Sequence, residues 1–279
     1  MTGQFGTSQL GTGQTDDFPP GSVWLVGAGP GDPELLTRKA ERLIRSASVI
    51  FHDALVGSEI VAMAALGTRL VYVGKRSGRH SRDQASIDQV IVEAALAGER
   101  VVRLKGGDPA IFGRANEELQ ACRDHGVSVR ICPGITAASA AAATLGLSLT
   151  LRGTARRLSF VTAHTRNSDV LDLDWHSLAD ADTTLAVYMG KASATVLANK
   201  LLAAGLAPET PVAMVENASL PSERVFRTRL DLLGLAAQTA LGDGPALLLI
   251  GNAIAAPVLC AKADHTMQPT KIKQQSANL

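Results

Sequence analysis

Twice in its first half the chain runs an apolar segment into glycines and then into Asp-Pro: VWLVGAGPGDP (residues 23–33) and VVRLKGGDP (residues 101–109). Each apolar run has the length of a buried strand. Asp followed by Pro is a helix start, with the carboxylate as N-cap and the ring at the first helical position. A chain that repeats strand, glycine turn and helix start alternates β with α. Such alternation builds a largely parallel sheet with helices on its faces.

The rest of the first half fits that pattern. Leu35, Leu36, Ala40, Leu43 and Ile44 carry helical spacing through residue 45. Strands are expected at 48–55 and 69–75, and a helix at 87–96 closed by Gly98. A second helix should run from Asp108-Pro109 to about Asp124 and end at Gly126. A strand over 127–135 then leads into an Ala-rich helix at 136–145. The second half restarts with strands at 158–164, 185–190, 210–217 and 246–251. An Ala-rich helix at 192–204 ends at Gly205, and residues 223–230 alternate like a strand. The expected fold class is α/β, as two α/β domains at 22–150 and 151–258 with a ligand cleft between them. The boundary falls near Thr150–Ala155. Residues 1–21 are Gly/Thr/Gln-rich and read as a disordered lead-in without the apolar core of a signal peptide. Residues 259–279 read as a flexible polar tail.

Composition removes several function classes. Lys and Arg total 27 against 26 Asp and Glu, a formal net charge of +1. That balance argues against a general nucleic-acid or membrane-surface binder. No apolar run has the length of a membrane span. Cys122, Cys132 and Cys260 form no CxxC pair, which points to reduced thiols in the cytoplasm. The six histidines show no HExxH or other ligand spacing, so no metal site is expected.

The glycine loops let the backbone turn tightly and approach a ligand, aiming N–H groups at its polar edge. A dinucleotide site is the rival, but GAGPGD departs from GxGxxG: Asp32 takes the sixth position and Pro30 interrupts the loop. Asp53, at the strand end FHDALV, serves either as an acid/base group or as a turn former. Lys75, Arg76, Arg79 and Arg82 form either a solvated basic loop or a lid over an acidic substrate. Arg114 and Glu117 are three apart, as a surface helix pair would be. Thr136 and Ala137 follow a Pro-Gly turn at a helix start, and Met189 ends a strand.

VGAGPGDPELLT, FHDALV, VGKRSG, VVRLKGGDPAIFGR, CPGITAASAAAATLGLSLT, VYMGK and PVAMVEN occur in that order over about residues 22–255. Together they resemble the tetrapyrrole (class III) methylases, and among them the uroporphyrinogen-III C-methyltransferases. The resemblance implies a homodimer of two α/β domains, with S-adenosyl-L-methionine in the cleft between them and S-adenosyl-L-homocysteine as product. It implies methylation of uroporphyrinogen III at C2 and C7, giving precorrin-2 through precorrin-1, for sirohaem, cobalamin or haem d1. A methylase acting on a later corrinoid precursor is the alternative. Carried over by position, Pro30, Gly106, Gly107, Asp108, Ile111, Thr136, Ala137, Met189 and Ala218 would contact the cofactor. Asp53 would accept a proton and Lys75 donate one, with Arg152 as a third catalytic group. Arg76, Arg114, Glu117 and Arg152 would bind the tetrapyrrole. The length leaves no room for the dehydrogenase/ferrochelatase domain fused to some relatives, so the reaction should stop at precorrin-2. Three departures stand out. Leu151 and Gly153 replace His and Asp around Arg152, Ala218 replaces a common Gly, and Ala115 and Asn116 replace more usual glycines.

Overall fold

The computed structural model describes residues 17–74, 84–163 and 173–255. The first apolar run forms β1 (Ser22–Gly27), buried at every position. It joins β2 (Val49–His52), β3 (Arg69–Tyr72), β4 (Arg100–Lys105) and β5 (Ser128–Cys132) in a parallel sheet of order β3-β2-β4-β1-β5. A parallel sheet needs cover on both faces, so its central strands β1 and β4 are buried almost throughout. Helices α1 (Arg38–Ser46) and α2 (Ser58–Val61) cover Trp24, Val26, Ile50, Val102 and Leu104. Helices α3 (Gln84–Leu96) and α4 (Ala115–Asp124) cover Val23, Leu25, Val49, Phe51 and Val101 on the other face. Thus β1 leads to a helix on one face, while its neighbour β4 leads to a helix on the opposite face. Adjacent parallel strands whose connections part in this way open a crevice at their carboxyl ends.

The second sheet contains β6 (Arg157–Thr162), β7 (Thr183–Tyr188), β8 (Pro211–Glu216), β9 (Arg224–Arg229) and β10 (Ala246–Ile250), in the order β6-β7-β10-β8-β9. Only β6 and β7 are parallel, and the other pairs are antiparallel. One face packs on α6 (Trp175–Leu178), α7 (Ala194–Ala203) and α8 (Leu233–Ala240). The other face packs on α5 (Ala137–Leu145), whose Ala138, Ala141 and Leu145 meet Ala186, Ala213, Val215, Leu247 and Leu249. Helix α5 therefore follows the last strand of one sheet and covers the other. Among the described residues no helix is long and apolar enough to cross a membrane.

Two helix starts differ from the sequence expectation. Asp32 does cap, accepting from Glu34 N at 2.8 Å, but it heads only a 3-10 turn at Pro33–Leu35. Leu36 and Thr37 are extended, with ψ of 138° and 146°. Thr37 then caps α1, accepting from Ala40 N at 3.1 Å. Asp108-Pro109 starts no helix, because Phe112 and Arg114 take left-handed φ of 51° and 56°, and α4 begins at Ala115. Helix α8 was not expected, since LGLAAQTA is interrupted by Gly234 and short of polar contrast.

Three strand ends meet backbone to backbone. A Cβ built on Gly27 would lie 2.6 Å from Gly134 Cα and 2.7 Å from Gly107 O. One built on Gly134 would lie 2.2 Å from Gly107 O. Both rigid partners are backbone, so neither can yield without moving a strand. Gly134→Ala is expected to destabilise the chain by about 1–3 kcal/mol or more, as overpacked cores do. Gly57→Ala, with φ of −61° and only an ordinary 3.5 Å contact to Gly31 O, should stay near neutral. Thermal melts of the two variants check this.

Candidate active site

The crevice between β1 and β4 is closed by its own loops. Gly29 N donates to Gly107 O at 3.1 Å, and Gly107 N returns a bond to Gly29 O at 2.6 Å. Ala28 N adds a third, to Lys105 O at 2.7 Å. Asp108 is a tie between loops and caps no helix. Its Oδ1 accepts from Ala110 N at 2.7 Å and its Oδ2 from Gly134 N at 3.0 Å. Ile111, half-buried, donates its N–H to Asp108 O at 3.1 Å. Gly106 sits against the turn after β2, where a Cβ would lie 2.8 Å from Leu55 Cβ.

The second sheet brings its strand ends to the same place. Asp32 N donates to Ser219 Oγ at 3.0 Å, and a Cβ on Gly31 would lie 2.5 Å from Leu220 Cδ2. The hydroxyls of Thr136 and Tyr188 share a 2.5 Å hydrogen bond, and Ala138 N donates to Tyr188 Oη at 3.2 Å. Burial pushes the Tyr188 hydroxyl above its usual pKa, keeping it protonated. Ala137 lies between these contacts and Met189 follows Tyr188, half-exposed with φ of 55°. Ala218 is buried between Asn217 (φ 55°) and Ser219 (φ 65°), while its own φ is not positive, so alanine fits there without backbone strain. The described non-glycine residues with left-handed φ are Phe112, Arg114, Met189, Asn217 and Ser219. All five stand on these loops. Each such residue costs on the order of 1–3 kcal/mol and persists where its surroundings over-determine it, commonly at a ligand site.

Asp53 occupies the rim next to Gly106. Its Oδ1 accepts from Leu55 N at 3.0 Å and its Oδ2 from Arg103 Nη2 at 2.7 Å. Each oxygen of the carboxylate thus has one donor, and the Leu55 N contact is the turn-forming bond expected of an Asp at a strand end. Behind it lies a charged cluster that sequence analysis missed: Arg103, Lys105 and Glu118, all buried. Burial pushes the Lys105 ammonium below the usual lysine pKa, and Glu118 pulls it back. Beside them burial pushes the Cys122 thiol up to about 11. Cys122 and Cys132 are buried and free. His52, next to Asp53, keeps Nδ1 buried with no partner among the described residues.

The expected substrate-binding groups are placed differently from one another. Arg114 is the residue before α4 rather than a residue on its face. It grips Glu117 in a two-pronged pair at 2.8 and 2.5 Å, with both side chains substantially exposed. Arg152 is exposed in the turn joining α5 to the second sheet, closed by Thr154 N to Leu151 O at 3.0 Å with Gly153 at φ 83°. Neither is joined to Asp53 by a hydrogen bond among the described residues. Lys75, Arg76, Arg79 and Arg82 lie outside the described residues, as does Cys260. No group of three or more His, Cys, Asp or Glu able to hold a metal occurs among the described residues.

The strained loop after β8 is tied by Ser219 N donating to Glu223 Oε2 at 2.6 Å, and Glu216 ends the strand just before it. This carboxylate is buried and accepts from Arg224 Nε at 2.9 Å, from Arg224 Nη2, and from Gly244 N at 3.0 Å. Burial pushes its pKa up, but these donors outweigh it and hold the carboxyl below the usual value.

Residues 22–233 match the model for Tetrapyrrole (Corrin/Porphyrin) Methylases. The chain is 43% identical over 91% of its length to an S-adenosyl-L-methionine-dependent uroporphyrinogen III methyltransferase, chloroplastic, of Arabidopsis thaliana, covering 70% of that protein. It is 44% identical to the uroporphyrinogen-III C-methyltransferase of Paracoccus denitrificans, over 89% of this chain and 87% of that one. It superposes with a TM-score of 0.70 at 40% identity on uroporphyrin-III C-methyl transferase from Thermus thermophilus complexed with S-adenosyl homocysteine, covering 84% of this chain and 98% of that one. The chain spans about half the length of several siroheme synthases that it also matches.

Two outcomes follow from the charges. Breaking the buried cluster by Glu118→Ala should cost about 3–5 kcal/mol, since it strands two buried cations. Glu117→Ala breaks only the exposed pair and should cost about 0–1 kcal/mol; urea melts separate the two. Glu216 has a lowered folded pKa, so its contribution is complete above the ordinary carboxylate pKa and is lost as pH falls through the lowered value. Between pH 7 and pH 3 the melting temperature of the native chain should therefore fall more steeply than that of Glu216→Gln.

Proposed function

The chain belongs to the tetrapyrrole (corrin/porphyrin) methylases, and from that premise we propose that it methylates uroporphyrinogen III at C2 and C7 with S-adenosyl-L-methionine, giving precorrin-2 by way of precorrin-1. The observation that carries this is the cradle itself. Three glycine-bearing strand ends lock together at the switch point, opposite the Thr136–Tyr188 contact and the Asn217–Ser219 loop of the second sheet. A cradle lined by backbone and small residues fits a ligand that is recognised through its edges. The names of the relatives at 43% and 44% identity support the choice of methyl donor and acceptor.

S-adenosyl-L-methionine, when bound, supplies an activated methyl: the pyrrole carbon bonds to it as the sulfur–methyl bond breaks and sulfur keeps the electron pair. What remains for the protein is alignment and proton removal. Main-chain groups of Gly106 and Gly107, with Pro30, Asp108, Ile111, Thr136, Ala137, Met189 and Ala218, hold the donor. Asp53, at the rim, takes the proton that the methylated ring sheds, and Lys75 returns a proton. Arg76, Arg114 and Arg152 meet the carboxylates of the substrate, and Glu117 steers Arg114. The protein works as a homodimer in the cytoplasm, and its product feeds sirohaem, cobalamin or haem d1 synthesis.

Anaerobic incubation with uroporphyrinogen III and S-adenosyl-L-methionine, read by mass spectrometry, tests the acceptor. Two added methyl groups are expected. Binding of S-adenosyl-L-homocysteine with no methyl added would redirect the assignment to a later corrinoid acceptor. Asp53→Asn should lower kcat by about 10²–10⁴-fold, the range of general base catalysis, with S-adenosyl-L-homocysteine affinity retained. Full turnover with unchanged pH dependence would remove Asp53 from that role.

A further inference from the structure

Glu118 lies on the apolar stripe of α4 with Ala115, Leu119 and Cys122, and its side chain is 0% exposed. A carboxylate there must be paired or neutral. Each oxygen is used: Oε1 accepts from Arg103 Nε at 3.0 Å and from Lys105 Nζ at 2.9 Å, and Oε2 from Lys105 Nζ at 2.7 Å. Arg103 carries the contact onward. Its Nη1 donates to Leu104 O at 2.7 Å and its Nη2 to Asp53 Oδ2 at 2.7 Å. Charges alternate along Lys105, Glu118, Arg103 and Asp53, and only the Asp53 end is open to solvent, at 24% exposure.

Apolar residues of the same volume commonly match or exceed the stability of such a buried network, so stability alone is weak grounds for one. The geometry offers another use. Arg103 reaches Glu118 through Nε and Asp53 through Nη2, so the Glu118 carboxylate fixes the plane of the guanidinium that meets the rim. Leu55 N fixes the other oxygen of Asp53 at 3.0 Å. We propose that Glu118 is a positioning residue, acting through Arg103 to set the orientation of the Asp53 carboxylate for proton removal. This deepens the methyltransferase reading above and rests on it. Lys105 supplies the second charge that keeps Glu118 ionised and in place.

Other charged groups face the same cluster. Asp88 on α3 and Glu117 on α4 act on it from outside, burial pushing the Asp88 carboxyl up. The Cys122 thiol lies on the helix side, and His52 adjoins Asp53. None of these is altered in the test.

The test uses the full chain with Glu118→Gln, and with the double variant Glu118→Gln/Lys105→Met, which keeps the local charge balance should the single variant fold poorly. In the double variant S-adenosyl-L-homocysteine affinity by calorimetry and KM for uroporphyrinogen III are expected within threefold of native. Its kcat should fall at least tenfold. The acid limb of its kcat/KM profile should move away from its native position, because the Arg103 guanidinium no longer meets Asp53 in its native orientation. A folded double variant with native kcat and native acid limb overturns the positioning role. So does one that loses S-adenosyl-L-homocysteine affinity more than tenfold, which would make the cluster a support of the cofactor loop. A native chain that leaves uroporphyrinogen III unmethylated overturns the functional reading and this role together. Native turnover with an unaltered double variant overturns this role alone.

Discussion

The contact of Gly27, Gly107 and Gly134 is the constraint on which the rest depends. At these positions three parallel strands stop, and their backbones come closer than any side chain allows. The approach lets the loops after β1 and β4 bridge through Gly29 and Gly107, and it puts Gly134 N within reach of Asp108. Once Gly134 is fixed there, the chain leaves β5 toward the second sheet. Thr136 then arrives at Tyr188, and the N-terminus of α5 arrives at the cleft. A parallel sheet alone opens a crevice at its switch point. Here the glycines turn that crevice into a closed cradle with a fixed second wall.

The charges divide by depth. Arg114–Glu117 is exposed, and solvent screens most of what it could contribute. Arg103, Lys105 and Glu118 are shut away from water, so each depends on its partners and none can be removed singly without stranding another. Cleft loops add a third kind of tension in five left-handed residues. Two of them, Asn217 and Ser219, are tied through their backbones beside the Glu216–Arg224–Gly244 knot, Asn217 N donating to Pro245 O at 2.9 Å and Ser219 N to Glu223 Oε2 at 2.6 Å. Rigid scaffolding below and strained backbone above are the combination expected where a ligand must be met in one geometry.

Much of this was legible in the residues. Strand-to-glycine junctions, the helix ends at Gly98, Gly126 and Gly205 with their positive φ, and the α/β class all follow from local pattern. Strand direction in the second sheet does not, because antiparallel and parallel pairing share the same apolar runs there. Asp108 misled because Asp-Pro reads identically as a cap and as a tie, and only the distant Gly134 distinguishes them. The buried charges did leave a signal. Arg103 and Lys105 fall two apart on one face of a buried strand, the face that also carries Val101, and Glu118 falls on the apolar stripe of its helix. Charges at positions that geometry must bury are partners waiting to be matched, and a period-2 strand laid against a period-3.6 helix would have paired them.

Helix α5 has a consequence for how the chain is made. It is encoded directly after the first sheet, yet its alanine face rests on strands β7, β8 and β10, the last of which ends at Ile250. During synthesis the first sheet can close as soon as β5 has emerged, while α5 waits for about a hundred further residues before its partner surface exists. A short alanine helix has little stability in water without tertiary cover. The cradle's second wall is thus the last part to set, and a nascent chain stalled before β10 would carry a finished first sheet with no functioning site.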